Sequence, residues 1–376
     1  MMQKSAWAEV SAKAVEHNIR TVKESLSKAP RFCAVVKADA YGHGLTGFAR
    51  MLEERHLADM LAVGKLSELC KLMKADLPED LQVLLLGTVP ADEILAGISS
   101  GAINLERAIF SVYGKEQMQE LHTAAKQKGI TVKVHIRIDV WDSGMGMGPE
   151  EFLTFQKELF SLENLQICGV YSHLYTSYSE DKEVIKEELE KFASLERGIL
   201  PEYRKQLTVH VLNSALVFKF PEYAFDMIRI GTAMYGLPCG TDAALIPAMK
   251  IYATVFDVRE VSSSVPLSYQ SEQASGTGGR RIARIMCGYW DSPLLLTQKE
   301  IRIRIGDKLF RPADEICMDN LCIDVTGEDT VKVGDVAVLM GEDGVTINEI
   351  LMRNNIHYVH SEWMCMTAGR LEKTYL

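Results

Sequence analysis

The segment Phe32-Cys-Ala-Val-Val36, Lys37-Ala-Asp-Ala-Tyr-Gly-His-Gly44, Gly47–Arg55, Met60-Leu-Ala-Val63 decides the fold. An apolar, β-branched run of five residues is followed by a polar, glycine-containing turn. A stretch with apolar residues at three- and four-residue spacing comes next, and then a second apolar run. This is one strand–helix–strand unit of a parallel sheet, whose strands are covered on both faces and so read as unbroken hydrophobic runs. The rhythm continues through Gln82–Leu86, Ala108–Val112, Thr131–Ile138, Gln166–Tyr171, Leu207–Val211 and Phe225–Ile228, with helical periodicity at Lys115–Gln127 and Lys182–Arg197. Eight such runs in about 240 residues predict an α/β fold, an N-terminal (β/α)8 barrel over residues 1–240. Beyond it the helical signal fades. Ile251–Val258, Arg281–Cys287, Glu300–Ile305 and Val331–Leu339 alternate with turn residues, predicting a C-terminal β domain over 241–376.

Composition narrows the function classes. The chain has 376 residues, 47% of them hydrophobic and 24% charged, enough for two ordinary cores. A net charge of -10 argues against a nucleic-acid surface. The one dense basic segment, Gly279-Arg-Arg281, reads as a solvated turn. No apolar run approaches the roughly 20 residues that cross a bilayer, and the first ten residues lack the apolar stretch of a secretion signal, so a cytoplasmic location without membrane contact is expected. Eight cysteines stand singly, with no C-x-x-C pair, which points to buried thiols and to no metal.

In a barrel of this kind the chemistry sits where strands end. The first run ends in Lys37, the sixth in Ser172-His173, the seventh in Asn213-Ser214 and the eighth in Arg229-Ile-Gly-Thr232. Lys37, flanked by Val35, Val36 and Ala38, reads either as an amine for covalent catalysis or as an ordinary ion-pair partner. Ser214, Gly231 and Thr232 occupy the loops where barrels hold phosphate, and Arg229 just before them is a permanent cation. Lysine, phosphate site and arginine on one rim suggest pyridoxal 5'-phosphate.

The sequence resembles the alanine racemases and their serine racemase relatives. Ala34-Val-Val-Lys-Ala-Asp-Ala-Tyr-Gly-His-Gly44 is similar to that family's cofactor-lysine motif, and Arg229-Ile-Gly-Thr-Ala-Met-Tyr-Gly236 to its arginine–glycine segment. Asn213-Ser-Ala215, Ser268-Tyr269, Gly288-Tyr289 and Cys317-Met-Asp319 follow in the family's order. The resemblance implies a racemase of a small amino acid, alanine or serine first. It also implies a head-to-tail homodimer whose active sites share residues. Lys37 would hold pyridoxal phosphate and act as one base, with Tyr269 of the partner subunit as the other. Tyr41, Ser214, Gly231 and Thr232 would hold the phosphate, Arg229 would face the pyridine nitrogen, and His173 would pack near the ring, although a histidine at a strand end is as readily a structural residue. Met318 would offer its N–H to the substrate carboxylate, and Tyr289 would line the entrance.

Two departures bear on substrate. The family's arginine after the fifth strand, which grips the substrate carboxylate, is absent from Asp139-Val-Trp-Asp-Ser-Gly-Met-Gly-Met147. Arg137 replaces the lysine that normally supports that arginine, and is the candidate to supply the missing charge. Near the C-terminus Gly369 stands where the family has a tyrosine, implying a pocket larger than alanine needs. Larger amino acids, or a weakly catalytic pyridoxal phosphate binder, are the alternatives.

Overall fold

The computed structural model describes residues 4–268, 278–356 and 360–376, with backbone only at Leu294 and His360. The chain divides into two compact units: residues 14–40 with 45–246, and residues 1–13 with 41–44 and 247–376.

The first unit is a parallel barrel. With Ala6–Val10 counted as β1, its strands are β2 (Arg31–Val35), β3 (Met60–Val63), β4 (Val83–Leu85), β5 (Ala108–Val112), β6 (Val132–Ile138), β7 (Leu165–Ser172), β8 (Thr208–His210) and β9 (Met227–Ile230). They are hydrogen-bonded in the order β8-β7-β6-β5-β4-β3-β2-β9. The ring is completed by backbone bonds from Asp226 N–H to Val209 O (3.0 Å) and from Arg229 N–H to Leu212 O (3.0 Å). Every residue of β3, β4 and β5 is buried, as a sheet lined inside and covered by helices outside requires. The outer helices carry local stop and start signals. Asp181 accepts from Glu183 N–H and Val184 N–H at the start of Lys182–Gly198, and Gly129 ends Lys115–Lys128 at φ 64°.

Alternation along β6 builds the inner layer. In Val132-Lys-Val-His-Ile-Arg-Ile138 the polar residues share one face, and His135 and Arg137 turn into the barrel. Register places Arg137 beside Tyr171, and Tyr171 beside His210. His135 lies beside Gly169, where a Cβ would stand 2.5 Å from the imidazole, so the close approach requires glycine. The eighth barrel strand runs two residues later than the sequence reading, Met227–Ile230 rather than Phe225–Ile228. Arg229 therefore lies within the strand, because its charge is met inside the barrel.

The second unit is β-rich. Its strands are β1, β10 (Met249–Ser262), β11 (Gly279–Ile285), β12 (Ile303–Ile305), β13 (Lys308–Phe310), β14 (Leu321–Asp324), β15 (Val336–Met340) and β16 (Glu372–Tyr375). The main path is β13-β12-β15-β10-β1-β16, and β11 joins β10 to β14. The long β10 changes partners at a bulge between Val255 and Asp257. Gly279-Arg-Arg281 heads a strand, not a turn: Arg280 and Arg281 pair with Val261 and Glu260, and the Arg281 guanidinium donates to Glu328 O and Val331 O. The unit also holds a helix, Ile347–Arg353, started by Thr346 accepting from Glu349 N–H. No helix among the described residues is long and apolar enough to cross a membrane, and all eight cysteines are free thiols.

Candidate active site

Lys37 follows directly on β2, with its side chain alongside Gly64 at the end of β3: a Cβ at Gly64 would lie 3.5 Å from Lys37 Cβ. The next four residues, Ala38, Asp39, Ala40 and Tyr41, all have left-handed backbones with φ of 53°, 53°, 56° and 52°. None is glycine, and each such residue costs on the order of 1 kcal/mol or more. Local bonds hold the turn. Asp39 Oδ1 accepts from Leu45 N–H (2.9 Å) and pairs with Lys71 (3.3 Å), while Glu68 accepts from Asp39 N–H (3.3 Å), Gly64 N–H (2.9 Å) and Lys65 N–H (3.1 Å). Backbone strain of this kind persists only where the surroundings hold it, and the Asp39 and Glu68 carboxylates do so here.

Arg229 is buried and held from four directions. Nη1 donates to His210 Nδ1 (2.7 Å) and His210 O (3.1 Å), and Nη2 to Ser172 O (2.7 Å) and Val211 O (3.4 Å). Four acceptors use the four Nη hydrogens, leaving Nε–H uncommitted among the described residues. Tyr171 lies beneath the guanidinium, 5.1 Å from ring centre to Cζ, and stacks on His210 at 5.0 Å. Burial pulls the Arg229 pKa down to about 10, which still leaves it charged at neutral pH.

Arg229 also fixes two histidines. A guanidinium can only donate, so His210 Nδ1 accepts and its proton is on Nε2. That Nε2–H faces His135 Nδ1 at 2.9 Å, so His135 is likewise protonated on Nε2. Both rings are neutral: burial first, and then positive neighbours including Arg229, lower His135 to about 3 and His210 well below its ordinary value. Sequence reasoning missed this pair, although the polar alternation along β6 signals it.

His173, at the end of β7, meets Tyr175 edge-on at 6.1 Å. Its pKa falls to about 3, from desolvation first and then from Arg229, Lys37 and Arg137. Lys37 after β2, Arg137 near the end of β6, His173 after β7 and Arg229 near the end of β9 lie toward the same end of the parallel strands.

Ser214 is buried there too, its Oγ accepting from Gly231 N–H (3.1 Å) and Ala233 N–H (3.2 Å). With both acceptor directions engaged, the hydroxyl proton points away from the turn. Thr232 is buried in the same turn. This donor set fits pyridoxal phosphate: an amine, a serine hydroxyl beside backbone amides, and one uncommitted arginine N–H.

Arg137 is 8% exposed and donates to Tyr113 Oη and Tyr175 Oη, both at 3.0 Å. Met147 is buried in the core, in a loop whose Asp139 carboxylate accepts from Trp141 N–H, Met145 N–H and Ser143 Oγ. Burial opposes ionisation of Asp139, but these bonds outweigh it and hold its pKa below the usual range.

The other predicted residues belong to the β-rich unit or lie outside the described residues. Tyr41 closes the left-handed turn, its carbonyl accepting from His43 Nδ1 (3.0 Å). Tyr289 N–H donates to Cys317 O (3.0 Å) and Trp290 N–H to Met318 O (3.1 Å), with Met318 at an exposed turn. Tyr289 lines a cavity of about 620 Å3 with Arg302, Arg311 and Asp314. Tyr269 lies outside the described residues. Gly369 overturns the expectation of enlarged space: at φ 36° its missing Cβ would stand 2.3 Å from Asp291 O. Backbone fills that space, and Arg370 beside it is paired with Asp291 and Asp319.

Comparison with known proteins agrees with this architecture. Residues 10–238 match the family model described as alanine racemase, N-terminal domain, and residues 248–375 its C-terminal domain. The alanine racemase of Desulfovibrio desulfuricans is 30% identical over 374 residues, covering 98% of each chain. Among solved structures, the alanine racemase of Clostridium difficile 630 aligns at a TM-score of 0.85 and 28% identity over 100% of this chain and 97% of that one. The Bartonella henselae alanine racemase, solved with covalently bound pyridoxal phosphate, shares the fold at a TM-score of 0.79 and 23% identity, covering 99% of this chain and 100% of that one. With both domain models matched in order along nearly its whole length, the chain belongs to the alanine racemase family.

Proposed function

We propose that this protein is a pyridoxal 5'-phosphate-dependent racemase that interconverts the L- and D-forms of a small amino acid, alanine or serine first. The observation that carries the reading is the state of Arg229: four N–H groups tied to fixed acceptors and one Nε–H uncommitted, on the same barrel end as Lys37. When bound, the cofactor supplies an electron-withdrawing ring that acidifies the α-proton of the attached amino acid.

The chain's own groups would do the rest. Lys37 is the covalent attachment point, and its Nζ moves a proton on one face of the substrate. Tyr269 Oη, contributed by the partner of a head-to-tail homodimer, moves the proton on the opposite face, since inversion needs a donor behind the carbon that loses its proton. Arg229 Nε–H would face the ring nitrogen of the cofactor and, because a guanidinium keeps its proton, would disfavour protonation of that nitrogen. His173 would pack by the ring, while Tyr41, Ser214, Gly231 and Thr232 would hold the phosphate. Met318 N–H meets the substrate carboxylate, and Tyr289 lines the approach. Absence of an arginine at Met147 supports a second reading, a weakly catalytic pyridoxal phosphate-binding relative.

Cofactor attachment is tested by loading the protein with pyridoxal phosphate, reducing with borohydride and mapping the labelled peptide. The label is expected on Lys37. A label on another lysine would remove the assignment.

A further inference from the structure

Arg137 is a buried cation with no carboxylate within ion-pairing distance among the described residues. Such a charge is costly unless something completes its shell. Its neighbours do so only in part. Tyr113 and Tyr175 each accept one N–H at 3.0 Å and flank the guanidinium at 5.0 and 6.0 Å from their ring centres. Three of the five guanidinium N–H groups remain uncommitted, and a carboxylate uses two. Asp139, two residues along, is the nearest acidic side chain in sequence, but its oxygens are taken by its own loop.

The tyrosines differ in a way that gives the arrangement direction. Tyr113 sends its own proton to Leu86 O at 2.7 Å, so its hydroxyl is fixed as an acceptor for Arg137. Tyr175 has no recorded acceptor for its proton among the described residues, and it is 55% exposed at the barrel end beside His173. Arg137 is thus supported from below by a saturated tyrosine and flanked at the mouth by one that still has a proton to give. Arg229, the other buried cation there, has only its Nε–H left.

We infer that Arg137 and Tyr175 together form the receptor for the substrate's α-carboxylate, Arg137 gripping it through the remaining guanidinium N–H groups and Tyr175 donating its hydroxyl proton. This rests on the racemase reading and deepens it, because it places carboxylate recognition inside the barrel, on β6. Amino acids with a free carboxylate would be substrates, and their amides would not.

Calorimetric titration of the cofactor-loaded protein with propionate and propionamide tests this without turnover. Wild type is expected to bind propionate and to ignore propionamide. Arg137→Met should weaken propionate by about ten- to a hundredfold, the size of a lost charge-assisted pair, while the visible absorbance of lysine-bound cofactor is retained. Arg137→Lys, which keeps a point charge without the fork, should fall between them. Tyr175→Phe, at a half-exposed position that tolerates substitution, should weaken propionate several-fold. Undiminished propionate binding in Tyr175→Phe, or in a folded, coloured Arg137→Met protein, would overturn the receptor. If the protein took up no coloured cofactor when pyridoxal phosphate was added, yet bound propionate in a way that Arg137→Met weakened, the cofactor reading would fall and the receptor would stand.

Discussion

Replacing His135 with leucine should flatten the acid dependence of stability, and the size follows from the buried pair. His135 has a folded pKa of about 3 against an ordinary value of 6.5, and His210 is lowered too, because neither ring can accept a proton beside Arg229 without adding charge to a closed interior. The unfolded chain therefore takes up protons first. The stabilisation is complete above about pH 6.5 and is lost as pH falls toward 3. At pH 5 His135 alone has cost about 2 kcal/mol, and His210 adds to the loss in the same direction. Urea unfolding of the cofactor-free chain at pH 8 and pH 5 measures this. In His135→Leu the loss between those pH values should be smaller by about 2 kcal/mol, whatever the packing cost, which is common to both conditions. An unchanged pH dependence would mean that His135 is not held neutral and that the proton order running from Arg229 is wrong.

Other substitutions probe the same framework. Gly169→Ala sets a methyl 2.5 Å from the His135 ring and should cost roughly 1–3 kcal/mol, read as a lowered thermal midpoint. Gly369→Tyr should destabilise the protein and not improve alanine turnover, since its Cβ meets Asp291 O at 2.3 Å; a stable variant with a stronger alanine preference would refute that packing. Tyr269→Phe should keep the lysine-bound absorbance while making solvent deuterium exchange at Cα unequal for the two enantiomers, and equal exchange at the native rate would remove Tyr269 as a base.

Much of the barrel was legible because of how its strands are buried. Met60–Val63 and Ala108–Val112 coincide with the apolar runs residue for residue, as parallel strands covered on both faces carry no polar alternation. Lys308–Phe310 and Glu372–Tyr375 were not legible. Each is only three or four residues long and carries charges, and pairing with distant strands, not local propensity, makes them extended. Arg229 misled in an instructive way: a charge in a strand reads as the end of that strand unless its acceptors are known. The site divides similarly. Lys37, His173, Ser214 and Arg229 were proposed from strand ends, whereas the support from His210, His135, Tyr113 and Tyr175 depends on inter-strand register and on a loop. Gly369 was legible as a substitution, but not its left-handed backbone or the Asp291 carbonyl that closes the space a Cβ would need.

The most direct test of the central claim is racemisation itself. The cofactor-loaded protein is incubated in deuterium oxide with L-alanine, L-serine and a longer L-amino acid, and the products are separated by chiral chromatography with mass detection. The account predicts that at least one substrate gives its D-enantiomer carrying deuterium at Cα, and that Lys37→Ala gives none. Full loading of the cofactor on Lys37 with no D-amino acid from any substrate would contradict it.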